Sequence, residues 1–432
     1  MFSLASLCVH RLRGAAMPHV RACLTLALVC LPLTVVRAND TPLSLLDSVK
    51  QAETQAPNID ARQAALTSAE RAVTPAGQLP DPQLVVGIDN LPVTTNDAFH
   101  LNRDFMTMRK VGVMQTFTRG EKRELRTQRA EAMAAREGAL LTTERLTTRE
   151  AVARAWVMRA AAERRLDLLQ SLRPRAEAQI AAATAALTAG RGSAADGIAA
   201  RAEQAMLEDR ISEAGRAVAE SRADFARWLP DANSQPLGDA PDFRNLGADP
   251  DTLIHNVAHH RELLAYDAAE KAATTDVALA RAEKRPDWSL EFAYAQRGPQ
   301  FSKMISIEAR IDLPLFGSKR QDPNIASKQA LAEQIVDERE AARRMHTAEL
   351  QKALAIWRSA VERVQRYEKE LLPLADDRAD AALAAYRGGS GSLQASLTAF
   401  DNAIEQRLTY SDLMSTLGQS WAALYFAFPK EH

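Results

Sequence analysis

A chain of 432 residues with 54 basic and 55 acidic side chains has a net charge of −1, which excludes the basic footprint of a nucleic-acid binder. Aromatic residues are only 5%, and Ala and Arg dominate long stretches, a composition that favours helix. All three cysteines, Cys8, Cys23 and Cys30, fall near the N-terminus, in a segment that reads as a leader. Arg11, Arg13 and Arg21 precede an apolar run from Cys23 to Val36, and Val36-Arg37-Ala38 supplies small residues at −3 and −1. Residues 1–38 are therefore expected to be a cleaved signal peptide, with Met17 as an alternative start. The mature chain would then carry no cysteine and no disulfide. Val29 fits poorly before a lipid-bearing Cys30. No later stretch approaches the ~18 apolar residues of a membrane-crossing helix.

The elements follow in order. Residues 42–73 read as a helix interrupted near Pro57. Strands are expected at 83–90 and 105–117, with a polar loop between them. A helix should run over 120–189, broken only by Gly138 and Pro174. At ~1.5 Å per residue such a tract reaches roughly 105 Å. Gly190-Arg191-Gly192-Ser193 is a turn, and a helix follows over 195–228. Residues 230–250, rich in proline and glycine, read as a link. A helix over 251–284 leads to strands at 287–296 and 303–313, then to helices at 323–386 and 392–428. Gly388-Gly389-Ser390-Gly391 forms the turn between those two helices.

This order states one pattern twice, in a first repeat over 39–229 and a second over 251–428. Leu79-Pro80-Asp81-Pro82 precedes a strand in the first, as Arg285-Pro286-Asp287-Trp288 does in the second. Met114-Gln115-Thr116-Phe117-Thr118-Arg119-Gly120 closes one strand pair, and Arg310-Ile311-Asp312-Leu313-Pro314-Leu315-Phe316-Gly317 closes the other. Trp156 and Trp357 occupy matching places. Leu350, Leu354, Trp357, Val361 and Val364 alternate at spacings of 4 and 3, a coiled-coil seam that Glu368 ends.

The strands alternate strongly. Trp288, Leu290, Phe292 and Tyr294 share one face, as do Ile305, Ile307, Ala309, Ile311 and Leu313. The other face carries Glu291, Glu308, Arg310 and Asp312. A half-buried hairpin on a globular core has this pattern, and so does a lipid-facing barrel with a wet interior. In the first pair, matching the strand ends places Thr107, Arg109, Val111, Val113 and Gln115 inward. Met106, Met108, Lys110 and Met114 then face outward. Four strands cannot close a membrane barrel, whose smallest form has about eight. Membrane strands here would require an oligomer, with eight strands from a dimer or twelve from a trimer.

On this duplicated pattern and its two helix turns, the chain resembles the TolC-type outer-membrane efflux channels across the mature sequence. The turns read Ala189-Gly190-Arg191-Gly192-Ser193-Ala194-Ala195-Asp196 and Tyr386-Arg387-Gly388-Gly389-Ser390-Gly391-Ser392-Leu393. Asp89-Asn90-Leu91-Pro92-Val93, Phe105-Met106-Thr107-Met108-Arg109 and Val113-Met114-Gln115 look like the heavy-metal branch, which serves pumps for cobalt, zinc and cadmium or for copper and silver. The resemblance implies a mainly α protein with a small transmembrane β-barrel: a homotrimer with a twelve-stranded barrel in the outer membrane and a helical barrel in the periplasm. It implies a periplasmic adaptor and an inner-membrane resistance-nodulation-division pump as partners, outer-membrane lipid around the strands, and heavy-metal cations as cargo. The tip turns with Gly190, Gly192, Gly388 and Gly389 would form the periplasmic entrance, and Asp196 and Tyr386 match the family's closing contacts. The arginine and the aspartate ring of the best-known member are absent, since Gly391, Ala395 and Thr398 stand there; Asp401 lies one turn further. Drug efflux or type I protein secretion is the alternative use of such a channel. A periplasmic adaptor without a pore is the rival of another class.

The sequence holds no Ser/His/Asp arrangement, phosphate-binding glycine loop or metal-hydrolase signature, so neither an enzyme nor a cofactor is expected. Met106 and Met108 share a strand face; thioethers suit Cu(I), and methionines also simply pack or face lipid. His255 and His259 stand four apart on an expected helix with Glu262 one turn on, a ligand spacing that solvated polar residues also show.

Overall fold

The computed structural model describes residues 42–429 apart from 233 and 248; the expected leader at 1–38, with its cysteines, lies outside them. The chain enters through α1 (Leu45–Gln55), started by the Ser44 hydroxyl accepting the Asp47 N–H at 3.2 Å, a side-chain N-cap. Pro57 opens α2 (Pro57–Ala76), where its missing N–H goes unmissed. The first strand pair is β1 (Gln83–Asp89) and β2 (Met108–Phe117). The helices α3 (Gly120–Ser171), α4 (Arg173–Thr188) and α5 (Ala194–Ala226) complete the first repeat.

The second repeat has α6 (Pro250–His255), α7 (Tyr266–Ala282), β3 (Trp288–Gln296), β4 (Met304–Ile311), α8 (Gln321–Arg366), α9 (Leu372–Gly388) and α10 (Leu393–Tyr425). At 52 residues, α3 alone is about 78 Å long at ~1.5 Å per residue. No helix among the described residues is long and apolar enough to cross a membrane.

The structure departs from the sequence expectation in several places. The tract at 120–189 breaks at Leu172, as Pro174 led one to expect, but runs through Gly138 without interruption. The tract at 323–386 opens into a π-turn, Tyr367–Leu371, just before Pro373. A proline inside a helix removes one hydrogen bond and crowds the preceding turn. The expected helix at 251–284 is four pieces, with 3₁₀ turns Val257–His259 and Arg261–Leu263 between α6 and α7. The second strand starts at Met108 rather than 105, because Asp104 takes the Met106 N–H at 2.6 Å and bends the chain away from the ladder.

The link at 230–250 is packed as a strap. Leu237 bridges Leu43, and Phe243 and Leu246 are buried. Three tryptophans fasten the chain entries to the long helices. Trp156 donates its indole N–H to the Leu43 carbonyl at 3.0 Å, Trp357 to Phe243 at 2.9 Å and Trp421 to Asn245 at 2.8 Å. The first two bonds are the same contact in each repeat, since 156 and 357 are 201 apart while 43 and 243 are 200 apart. Each indole fills core volume and satisfies its own polar atom. Along α3 the residues Leu146, Glu150, Ala153, Val157 and Ala160 are buried at spacings of 4 and 3, and Leu350, Leu354 and Trp357 do the same on α8. That periodicity holds near-parallel helices together by interlocking side chains.

Candidate functional site

Two regions carry the features a function needs: the sheet, and the pair of turns at the far end of the helices. The sheet is antiparallel throughout, in the order β1-β2-β3-β4, so β1 and β4 are unpaired edges. Register puts Val86 opposite Val111, Val111 opposite Tyr294, and Tyr294 opposite Ile305. One continuous face is therefore apolar, and it is bare: Val86 is 68% exposed and Ile307 71%. A soluble protein rarely leaves so large an apolar area uncovered.

The register of β2 corrects the sequence expectation by one residue. Arg109, Val111, Val113 and Gln115 lie on the apolar face with Phe117, and Lys110 and Met114 lie on the polar one. Strand ends alone do not fix the faces, since a one-residue slip exchanges them completely. Phe117 stacks on Trp288 at 4.3 Å between ring centres, which pins the pairing. Gly112 does so too, since a Cβ there would lie 2.6 Å from the Ala293 Cβ.

On the polar face Lys110 reaches the Glu291 carboxylate at 3.0 Å and Asp89 at 3.7 Å. Arg310 donates to Glu291 at 2.9 Å and to Glu308 at 2.8 Å. Glu291 is 2% exposed, beneath the two cations. Glu291, Glu308 and Arg310 thus meet, as their alternation suggested, and Lys110 is the partner that the slipped register hid. Asp312 lies past the end of β4, its N–H donating to the Asp287 carbonyl at 3.3 Å.

The metal candidates do not assemble. Met106 precedes β2 and is exposed, while Met108 pairs across to Asp89. His255 ends α6 and His259 sits in a separate 3₁₀ turn, so the expected helical spacing does not exist. The His255 ring nitrogen lies 2.8 Å from the Asp251 carbonyl. Among the described residues no three His, Cys, Asp or Glu side chains converge to hold a metal. A different histidine pair does meet. His260 and His346 stack at 4.7 Å between ring centres, with Phe428 edge-on to His260. Burial, then the neighbouring His346 and Arg261, pushes the His260 pKa down to about 4. These two histidines stand far apart in the chain, and no local spacing marks them.

The helix turns repeat at atomic detail, each position 199 after its counterpart (190 and 389, 192 and 391, 193 and 392). Gly190 has φ +70° and Gly389 φ +80°, the left-handed conformation that ends helices on glycine. Gly192 and Gly391 each donate to a helix carbonyl, those of Ala186 and Ala385. A Cβ on Gly192 or Gly391 would press on Ala186 or Ala385 at 3.0 and 3.1 Å. Gly388 is the last residue of α9 and meets open space. Ser193 and Ser392 then cap α5 and α10.

The turns differ three residues past the capping serine. Asp196 accepts the Ser193 N–H at 2.8 Å while Ser193 accepts the Asp196 N–H at 3.2 Å, a reciprocal capping box. Ala395 stands at that place in the second turn and provides no such return. Tyr386 is buried, and its hydroxyl has no hydrogen-bond partner among the described residues. Burial and then the field of Asp196 raise the Tyr386 pKa, against Arg191. The two turns touch through Arg191, whose guanidinium comes within 2.8 Å of the Cβ position on Gly389. Tyr386, Arg191 and the alanines Ala182 and Ala186 line a cavity of about 290 Å³. Asp401, further along α10, is engaged by Arg210 at 3.0 Å.

No family model matches this chain, and no curated protein matches it in sequence. Solved structures do match. The outer membrane protein VceC of Vibrio cholerae is 16% identical with a TM-score of 0.73, over 89% of this chain and 96% of that one. The CmeC outer membrane channel of Campylobacter jejuni is 12% identical with a TM-score of 0.74, over 89% and 85%. CusC, described for its folding and transmembrane channel formation, is 14% identical with a TM-score of 0.73, over 89% and 92%. The fold is that of the TolC-type outer-membrane channels. At this level of identity the likeness speaks to architecture, and the chemistry has to come from the chain's own residues.

Proposed function

We propose that the protein is the outer-membrane channel of a tripartite efflux system, a passive duct that carries heavy-metal cations out of the cell. The observation that carries the reading is the sheet: one bare apolar face, one charged face and two unpaired edges. A membrane interior does not tolerate an open edge, because every unpaired N–H and C=O there costs several kcal/mol. Pairing β4 of one copy with β1 of the next removes the edges, sets the apolar face against lipid and encloses the charges. Three copies give twelve strands. The long helices then extend into the periplasm, towards an adaptor and a resistance-nodulation-division pump that supplies the energy. The structures of similar fold, among them outer membrane channels, support this assignment. The heavy-metal cargo rests on the segment from Asp89 to Gln115 that looks like the metal branch.

In this reading the tip turns are the periplasmic entrance, and Asp196 and Tyr386 help to keep it closed. Their placement in one neighbourhood supports that role, as does the buried hydroxyl with no partner in a single copy. Envelope fractionation tests the channel: a detergent-extracted trimer from the outer membrane is expected, and a soluble monomer overturns it. Deletion of the gene tests the cargo. Sensitivity to copper, silver, zinc, cobalt or cadmium is expected to rise; unchanged metal sensitivity with raised drug sensitivity assigns the channel to drugs instead.

A further inference from the structure

The charge network on the polar face of the sheet has a hub, and the hub is the least exposed of its members. Glu291 lies on β3 opposite Met114 of β2 and Glu308 of β4, and Lys110 and Arg310 reach it diagonally from those two strands. Its side chain is 3% exposed, against 18% for Lys110, 48% for Arg310 and 53% for Glu308. A carboxylate so covered is stable as an anion only while cations are held against it. Glu308 engages Arg310 alone and stands in solvent, where its charge is screened. Asp89 is the weaker partner of Lys110, at 3.7 Å against 3.0 Å.

We infer that Glu291 sets the ion preference of the passage through the sheet, by offsetting Lys110 and Arg310 and holding them in place. The inference rests on the channel reading, in which this face lines the passage. Within the four strands this face carries three acids (Asp89, Glu291, Glu308) and two bases (Lys110, Arg310), so each copy contributes a small negative excess. Removing the Glu291 charge cancels that excess and leaves Lys110 to Asp89 and Arg310 to Glu308. Removing the Lys110 charge doubles the excess. Fixed charges on a pore wall act on passing ions through their sum and their orientation, so the two changes act in opposite directions. A carboxylate that only braced the strands would lower the yield of folded channel in either variant and leave the ion preference alone.

The test is the permeability ratio of potassium to chloride, from reversal potentials of the full-length channel in planar bilayers under a potassium chloride gradient at low salt. Wild type should prefer potassium. Glu291→Gln should lower the ratio about twofold, Lys110→Met should raise it, and Glu291→Asp should restore most of the wild-type value. Conducting Glu291→Gln channels with a wild-type ratio overturn the inference, as does a shift of the same sign in both variants. Should Glu291→Gln fail to fold, Lys110→Met and Glu291→Asp still decide it. Wild-type protein that is trimeric and inserted but never conducts defeats the channel reading itself, a separate outcome.

Discussion

The two long helical tracts meet a proline at the same point of the repeat, at 174 and at 373, and yield to it in opposite ways. In the first, the Leu172 N–H reaches back three residues to the Leu169 carbonyl at 3.2 Å, so the helix tightens before it restarts. In the second, the Leu372 N–H reaches back five residues to Tyr367, so the helix widens into a π-turn. Proline dictates that the ladder is interrupted; the surroundings decide how. The widened turn presents Glu368 to Arg244 of the strap, with both carboxylate oxygens engaged at 2.7 and 2.6 Å, and to the Tyr410 hydroxyl at 2.8 Å. The first tract is fastened to the strap away from its break, where Arg159 of α3 donates to the Ala232 and Gln235 carbonyls at 3.2 and 2.6 Å. A duplicated sequence thus gives two hairpins that match at their turns and differ at their bases.

The largest expected effect tests whether the repeats share the weight of the core. Trp156→Ala and Trp357→Ala should each destabilise by about 3–5 kcal/mol, with Trp156 at the upper end because it is fully buried. Thermal unfolding of the purified protein measures both; a silent Trp156→Ala would deny the first repeat its anchor. The next effect belongs to the second repeat and the C-terminus. His260 is held neutral, with its pKa lowered to about 4. The unfolded chain binds a proton near pH 6.5, so stability is full above that pH and declines as the pH falls towards 4. The integrated loss is about 3 kcal/mol. Melting temperatures from pH 7.5 to 4 should show a steeper fall in wild type than in His260→Phe, and parallel curves would refute the assignment.

The tip glycines give a smaller contrast. Gly190→Ala and Gly389→Ala both force a side chain into the left-handed region, at about 1–2 kcal/mol each. Only Gly389 has a neighbour to displace, the Arg191 guanidinium; a Cβ on Gly190 meets nothing within 4 Å. Proteolysis at the tips should therefore accelerate more for Gly389→Ala. Glu368→Gln should cost about 1 kcal/mol, the scale of a partly exposed ion pair. Hydrogen exchange should speed up over residues 367–388 and stay unchanged over 172–188. Smallest is the cap. Asp196→Ala should weaken the start of α5 by about 0.5–1 kcal/mol, whereas Asp196→Asn keeps an acceptor for the Ser193 N–H. That pair separates capping from gating: raised single-channel conductance in Asp196→Asn and Tyr386→Phe would speak for the gate, and wild-type conductance in both against it.

Much of this molecule is written locally. The duplication, the four strands, the glycine turns and the alternation along β3 and β4 all follow from spacing and residue type, and their elements stand within a few residues of expectation. The departures have a common cause. Periodicity reports that a stretch is helical but not how a proline inside it is accommodated, so Pro174 marks a break without its tightened form, and the π-turn at Tyr367 has no local mark. Strand alternation gives two faces without saying which is which, and Lys110 was assigned by a strand-end match that its partner Glu291, 181 positions away, contradicts. His260 with His346 and Arg244 with Glu368 join distant segments, and only the tertiary fold brings them together.

The bare edges of the sheet also set the terms on which this protein can be made. A newly folded copy displays unpaired N–H and C=O rows along β1 and β4 beside an apolar surface, a template open to any extended chain that arrives first. In the proposed assembly, correct closure is a race whose rate rises steeply with the concentration of like copies, while wrong pairing depends on everything else in the compartment. Slow synthesis leaves copies waiting; crowded synthesis multiplies strangers. The yield of finished protein should peak at an intermediate rate of production, a property of two free strands rather than of any residue on the charged face.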